Sequence, residues 1–199
     1  MKYFVFFILF FFNSLLYSQL LIGNQWTHKS LITRGGSSEY KTYIEDAIFL
    51  KYVFPKRKEK SYYFSLKSEF HLEKYRSSKK TNILIYRYPI LFQLNANGLN
   101  SDLFAFAFEG GYIYSSISAG NNLTTKGSSH GFIAGVSFNF KLENKITAIF
   151  GYRRILDLKT SLAEPHLFGE SNFFVGFETD IIALYKDLIQ KKRKKKHKK

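Results

Sequence analysis

The chain of 199 residues contains no cysteine. That excludes a disulfide framework, thiolate metal sites and attachment through a lipidated cysteine. Beyond its leader it has no apolar run long enough to form a membrane helix. It also has no G-x-S-x-G elbow, no phosphate-binding loop and no histidine pair at metal-ligand spacing. The usual sequence signatures of hydrolytic, nucleotide-dependent and metal chemistry are therefore missing. Acidic residues are scarce, with 15 Asp and Glu against 30 Lys and Arg for a net charge of +15. Most of that excess is local. Without the eight Lys and Arg of Lys191 to Lys199, the rest of the chain carries +7.

The amino terminus has the layout of a secretory signal. Lys2 precedes an apolar run from Tyr3 to Phe12, and a more polar stretch, Asn13 to Ser18, ends in a small residue before Gln19. Leu16 stands three residues before that cut, so the A-x-A pattern is imperfect. The run is short for a transmembrane helix, and an uncleaved anchor is the competing reading. We expect a signal peptide over 1–18, a barrel over 19–180, and an amphipathic segment with a polybasic tail over 181–199.

Aromatic and aliphatic side chains fall on every second position of segments about ten residues long, separated by polar turns. Phe104, Phe106 and Phe108 share one parity, with Ala105, Ala107 and Glu109 on the other. Phe132, Ala134, Val136, Phe138, Phe140 and Leu142 form a second apolar row. A side-chain period of two belongs to strands. Eight such segments are legible: 25–35, 41–54, 61–76, 82–95, 102–117, 131–142, 145–158 and 171–179. The expected fold class is all-β, an eight-stranded antiparallel transmembrane β-barrel of the outer-membrane type, whose interior side chains fill. Long connections at Ser118 to His130 and Lys159 to Glu170, against tight turns at Ala96-Asn97-Gly98 and Glu143-Asn144, predict alternating outer loops and inner turns.

The same parity sorts the charges. With Tyr62, Phe64, Leu66, Phe70 and Leu72 toward lipid, Lys67, Glu69, His71 and Glu73 face the lumen. Carried round the wall, the pattern adds Arg87, Gln93, Glu109, Lys141, Arg153 and Glu178. Because an Arg or Lys at the bilayer midplane costs about 2–4 kcal/mol, a salt-bridged plug of Lys67, Glu69, Arg87, Glu109, Lys141, Arg153 and Glu178 is expected. Tyr86, Tyr88, Tyr112, Tyr114 and Tyr152 are expected in the aromatic girdles. Pro89 cannot donate to a ladder, which predicts a bulge beside it.

Several segments resemble the small PorT-like and porin-family outer-membrane barrels. Tyr86-Arg87-Tyr88-Pro89-Ile90-Leu91-Phe92-Gln93 is similar to that family's proline-bearing E-I-P-L-L-L-K strand. Phe108-Glu109-Gly110-Gly111-Tyr112 is similar to its next strand, and Gly131 to Phe140 and Gly151 to Leu158 to the two after. Two features depart from the family pattern: Arg87 replaces the usual acidic residue, and the chain continues past the aromatic that would end the last strand. The resemblance implies the fold and assigns no activity, although one branch of the family is associated with protein export.

At the carboxyl end Ile181, Ile182, Leu184, Tyr185, Leu188 and Ile189 fall at helical spacing. Lys191, Lys192, Arg193, Lys194, Lys195 and Lys196 then open an unbroken basic run. As a sequence this run reads as a solvated, disordered extension, or as a surface for anionic head groups or a periplasmic protein. An exported tail is not expected to meet nucleic acid. The resulting expectation is a monomeric, cofactor-free protein of the cell outer membrane in contact with outer-membrane lipid. Its expected role is structural or accessory, scaffolding or export-associated, without enzymatic activity. Two alternatives stand beside it. One is a lipid-modifying enzyme using Ser128, Ser129, His130 or His166 at the outer rim; Glu45 and Asp46 read as strand-end charges. The other is a soluble lipocalin-like barrel with the two faces exchanged.

Overall fold

The computed structural model describes residues 19–33, 44–55, 61–76, 82–97, 103–119, 122, 124–143, 145–160 and 168–196. The leader over 1–18, and the seventh connection with Pro165 and His166, lie outside these residues. Eight strands run as β1 (Gln19–Thr33), β2 (Ile44–Val53), β3 (Tyr62–Arg76), β4 (Asn82–Asn97), β5 (Phe104–Ala119), β6 (Thr125–Glu143), β7 (Ile146–Thr160) and β8 (Phe168–Asp180). Helix α1 (Ile181–Lys196) follows directly. Each strand pairs antiparallel with its neighbour in sequence, and β1 pairs with β8 to close the barrel. Closure leaves no open edge, which hydrocarbon could not solvate.

Register fixes the dimensions. From Leu20, partners run through Tyr52, Leu66, Phe92, Gly110, Ala134, Arg154 and Ser171 and return to β1 at Ser30, ten residues further along. With about 3.3 Å per residue and about 4.8 Å between strands, this stagger gives a tilt of about 40° and a backbone radius of about 8 Å. The apolar row from Phe132 to Leu142 on β6, ten residue steps long, then rises about 25 Å along the barrel axis, the height of a bilayer-facing band.

The faces are those the alternation predicts. Tyr62, Phe64, Leu66, Phe70 and Leu72 are all exposed, as are Phe132, Phe138, Phe140 and Phe173. Lys67, Glu69, His71, Glu73, Arg87, Glu109, Arg153 and Glu178 are all buried. A soluble barrel with the faces exchanged is thereby excluded. Aromatic rings tile the outer face across strands, with Phe64 stacked on Phe92 at 5.3 Å and Phe138 on Phe150 at 5.3 Å. Tyr88 stacks on Tyr114 at 6.2 Å toward the end opposite the termini. Tyr112 also lies on the outer face, and Tyr152 donates to Ser171 Oγ at 2.9 Å.

Three expectations are corrected. β1 starts at Gln19 rather than at residue 25, because its first residues pair with β2. Loop length does not alternate cleanly: connection two spans 54–61 and connection four 98–103, while connection five shrinks to 120–124. Pro89 makes no bulge. Pairing with β3 lapses between Ser68↔Ile90 and His71↔Arg87 and resumes in the same register, while Pro89 stays opposite Ile113 on β5. The missing donor is absorbed by a gap in the ladder, and the irregularities fall instead between β6 and β7, at His130/Gly131 and Lys141/Glu143.

Adjacent glycines show how tightly the wall is drawn. A Cβ on Gly111 would collide with the Ile90 carbonyl oxygen of β4, whereas one on Gly110 would meet nothing nearer than the Ile133 carbonyl oxygen at 3.9 Å. Gly111→Ala should therefore destabilise the barrel by about 1–3 kcal/mol and reduce the fraction migrating as a compact band in unboiled SDS gels. Gly110→Ala should leave that fraction unchanged, and equal behaviour of the two variants would contradict the strand approach described.

Candidate functional site

Among the described residues, the buried charged side chains are Lys51, Lys67, Arg87 and Arg153 against Glu69, Glu73, Glu109 and Glu178. Four cations thus match four carboxylates. They form three neutral groups along the barrel. Nearest the end that carries the termini, Lys51 Nζ donates to both oxygens of Glu178 at 3.0 Å. Toward the opposite end, Arg87 Nε lies 2.8 Å from Glu73 Oε1.

The middle group is the largest. Arg153 on β7 forks onto Glu69 on β3, Nη1 to Oε2 at 2.7 Å and Nη2 to Oε1 at 2.8 Å, spanning the lumen. Its Nε donates to Glu109 Oε1, and its Nη2 reaches Glu109 Oε2 at 3.1 Å. Lys67 Nζ lies 2.7 Å from Glu69 Oε1 and donates to Gln25 Oε1 at 3.0 Å. His71 Nε2 is 2.7 Å from Glu69 Oε2. Aromatic faces complete the cage, with Lys67 Nζ 3.8 Å above Phe49 and Arg153 Cζ 4.1 Å above Phe174.

Amides extend this network toward the terminal end. Gln93 Nε2 donates to Glu109 Oε2 at 2.8 Å, while Gln93 Oε1 accepts from Ser65 Oγ at 2.9 Å, and Asn95 Nδ2 donates to Ser65 Oγ at 3.0 Å. Beside it, Leu91, Ile113, Ile133 and Ile155, one from each of β4 to β7, form a buried apolar cluster. A cavity of about 420 Å³ opens at the terminal end, lined by Tyr63, Asn97, Asn139, Lys141, Lys145 and Glu178. Lys141, expected within the plug, is half-buried at this mouth. Of the predicted lumen set, the structure joins Lys67, Glu69, Glu109 and Arg153 directly and places Arg87 and Glu178 in separate pairs. Lys51 and Phe49 were missed, although both lie on the inward parity of β2.

The rim serine and histidine are not in a loop. Ser128, Ser129 and His130 belong to β6, where Ser129 is buried inside while His130 is exposed outside and bonded through Nδ1 to the Tyr112 hydroxyl. Neighbouring strand residues point to opposite faces, so Ser129 and His130 cannot act on one another. Asp46 is exposed, and the side chain of Glu45 lies outside the described residues. No cluster of three metal-ligating side chains occurs among the described residues.

The basic run, read from the sequence either as a disordered extension or as a surface for anionic groups, has a helical backbone: α1 continues through Lys191, Lys192, Arg193, Lys194, Lys195 and Lys196. Its start is fixed by Asp180, whose Oδ1 accepts from Ile182 N at 2.9 Å and Ala183 N at 3.0 Å. An ion pair from Lys145 in the β6–β7 turn to Asp187 holds the second turn.

No family model matches the chain, and no curated protein matches it. Solved structures do share its fold. The attachment invasion locus protein Ail of Yersinia pestis superposes with a TM-score of 0.57 at 11% identity, over 81% of this chain and 96% of Ail. Neisserial surface protein A superposes with a TM-score of 0.57 at 10% identity, over 82% of this chain and 99% of that one. Likeness at this identity speaks to architecture, and it agrees with the geometry: a closed eight-stranded antiparallel barrel of the outer-membrane type.

Two adjacent arginines test the assignment of faces. Arg153→Met leaves Glu69 and Glu109 buried without their shared cation and should cost about 3–5 kcal/mol. Arg154 is exposed on the outer face, and Arg154→Met should be neutral or stabilise by up to about 1 kcal/mol near the interface. Urea unfolding from phospholipid bilayers, followed by the fluorescence of the single tryptophan, Trp26, measures both. Similar losses in the two variants would contradict the face assignment.

Proposed function

We propose that this chain is an integral protein of the cell outer membrane with a structural or accessory role: a monomeric, non-conducting barrel that fixes a basic helix at the periplasmic face. The observation that supports it most is the charge-balanced plug. The Glu69–Arg153–Glu109 bridge ties β3, β5 and β7 together across the lumen, and the buried apolar cluster of Leu91, Ile113, Ile133 and Ile155 fills space beside it. An ion or solute would have to break several charge-assisted hydrogen bonds and pass buried apolar side chains.

The periplasmic assignment of the terminal end rests on the exported reading of the leader and on the antiparallel eight-strand count, which returns the chain to the side where it began. Membership of the PorT-like group belongs to the same proposal. It is supported by the proline-bearing fourth strand and the paired glycines of the fifth, and it brings the export-associated role as the form of accessory function to test. This reading assigns no catalysis and no cofactor.

Conductance is the direct measurement. Protein refolded to its heat-modifiable form and inserted into planar bilayers should show no discrete opening steps. Regular single-channel steps from such a preparation would replace the scaffold reading with a channel. Loss of the heat shift altogether would instead remove the membrane reading on which it stands.

A further inference from the structure

The strongest unassigned feature lies outside the lumen, where α1 meets the lower wall. Leu184 of α1 and the wall residues Ile22, Ile48, Ile146 and Phe177 line one recess of about 1120 Å³. Those wall residues are exposed, on the lipid-facing side. The helix therefore overhangs the bilayer side of the barrel. Its position is fixed twice, by the Asp180 cap and by the Lys145–Asp187 ion pair. Leu184 and Tyr185 remain 41% and 65% exposed among the described residues.

Charge supplies the second half of the argument. Asp187 is the one acidic residue of α1, and it is already paired with Lys145. From Lys191 onward the chain has no acidic residue. Sixteen residues of helix extend about 24 Å, so the basic turns reach beyond the contact at Leu184. A largely apolar recess, whose lining also includes Lys145, Glu143 and Glu178, next to a long cationic helix matches a ligand with acyl chains and an anionic head group. A zwitterionic lipid would satisfy the recess alone, and a nucleic acid would satisfy the helix alone.

We propose that the recess between α1 and the outer wall seats an anionic phospholipid of the periplasmic leaflet, its acyl chains against Ile22, Ile48, Phe177 and Leu184 and its phosphate at the basic turns of α1. This inference rests on the membrane-barrel reading and deepens it by naming the lipid class. Amphipathic helices with cationic residues bind anionic membranes through this combination of apolar burial and electrostatic attraction.

The test uses the full chain, folded in detergent and verified by its heat-dependent gel mobility, then exposed to phosphatidylglycerol or phosphatidylethanolamine and analysed by native mass spectrometry. Retention of phosphatidylglycerol should exceed that of phosphatidylethanolamine about tenfold. Replacing Lys191, Lys192, Arg193, Lys194, Lys195 and Lys196 together by Gln should equalise the two lipids, and Leu184→Asn should reduce retention of both. Equal retention by the unmodified chain, or a preference that survives the six Gln substitutions, overturns the inference. So does a Leu184→Asn variant that retains lipid unchanged. Because folding is checked first, a missing heat shift reports failure of the membrane reading, whereas a folded barrel without preference reports failure of the lipid site alone.

Discussion

The pairing of β1 with β8 is the constraint on which the remaining structure depends. In hydrocarbon every strand N–H and C=O must find a partner within the protein, so an eight-stranded sheet that failed to close would leave two unsolvated edges. Closure at a ten-residue stagger sets tilt and radius together, and an eight-stranded interior is just wide enough for side chains to fill. Interior and exterior are then no longer free choices. Each inward position must occupy volume, and each outward position must meet lipid or its interface.

The interior solution is polar, and polarity there is costly unless it balances. An unpaired ion in such a lumen would carry a desolvation penalty of several kcal/mol. The four-to-four match of buried cations and carboxylates among the described residues is the condition under which a polar filling is tolerable. Arg153 occupies the centre because a guanidinium can donate to two carboxylates in one plane while its face rests on Phe174. A lysine there would give a point charge without that reach. Gly111 serves the same closure from the backbone, since a side chain at its inward position would push β5 away from β4.

The wall was legible in the sequence because a half-lipid, half-lumen strand imposes a period of two, and a one-residue error would turn Glu69 or Arg153 toward lipid. All eight strands and the direction of the third-strand charges follow from that one rule. Features set by longer-range geometry were not legible. Pro89 was expected to force a bulge, but a closed neighbour on each side holds register, and the ladder merely skips the missing donor. Ser129 and His130 read as loop residues because Gly, Ser, Thr and Asn dominate 118–130. The register of β5 and β6 carries the strands beyond the apolar band, where composition no longer marks them. Lys51 escaped notice for a related reason: on β2 the apolar Phe49 and Val53 share its inward parity and hide the alternation.

The carboxyl terminus shows how a local rule and a boundary condition combine. A run of lysines and one arginine repels itself and in isolation favours an extended chain. Here it follows ten residues that already form helix, begun by Asp180 at the last position of β8 and held by Lys145 at Asp187. Once the first turn is fixed, each further residue adds a backbone hydrogen bond without a new nucleation cost. Lysine and arginine are also good helix formers by intrinsic propensity. The end of the barrel thus acts as a nucleus for α1. It also sets Leu184 opposite Ile22, Ile48, Ile146 and Phe177 of the wall. Among the described residues the buried Lys, Arg and Glu side chains balance, while the excess positive charge of the sequence is concentrated in 191–199, so recognition by charge is more available at that end of the chain than in the lumen.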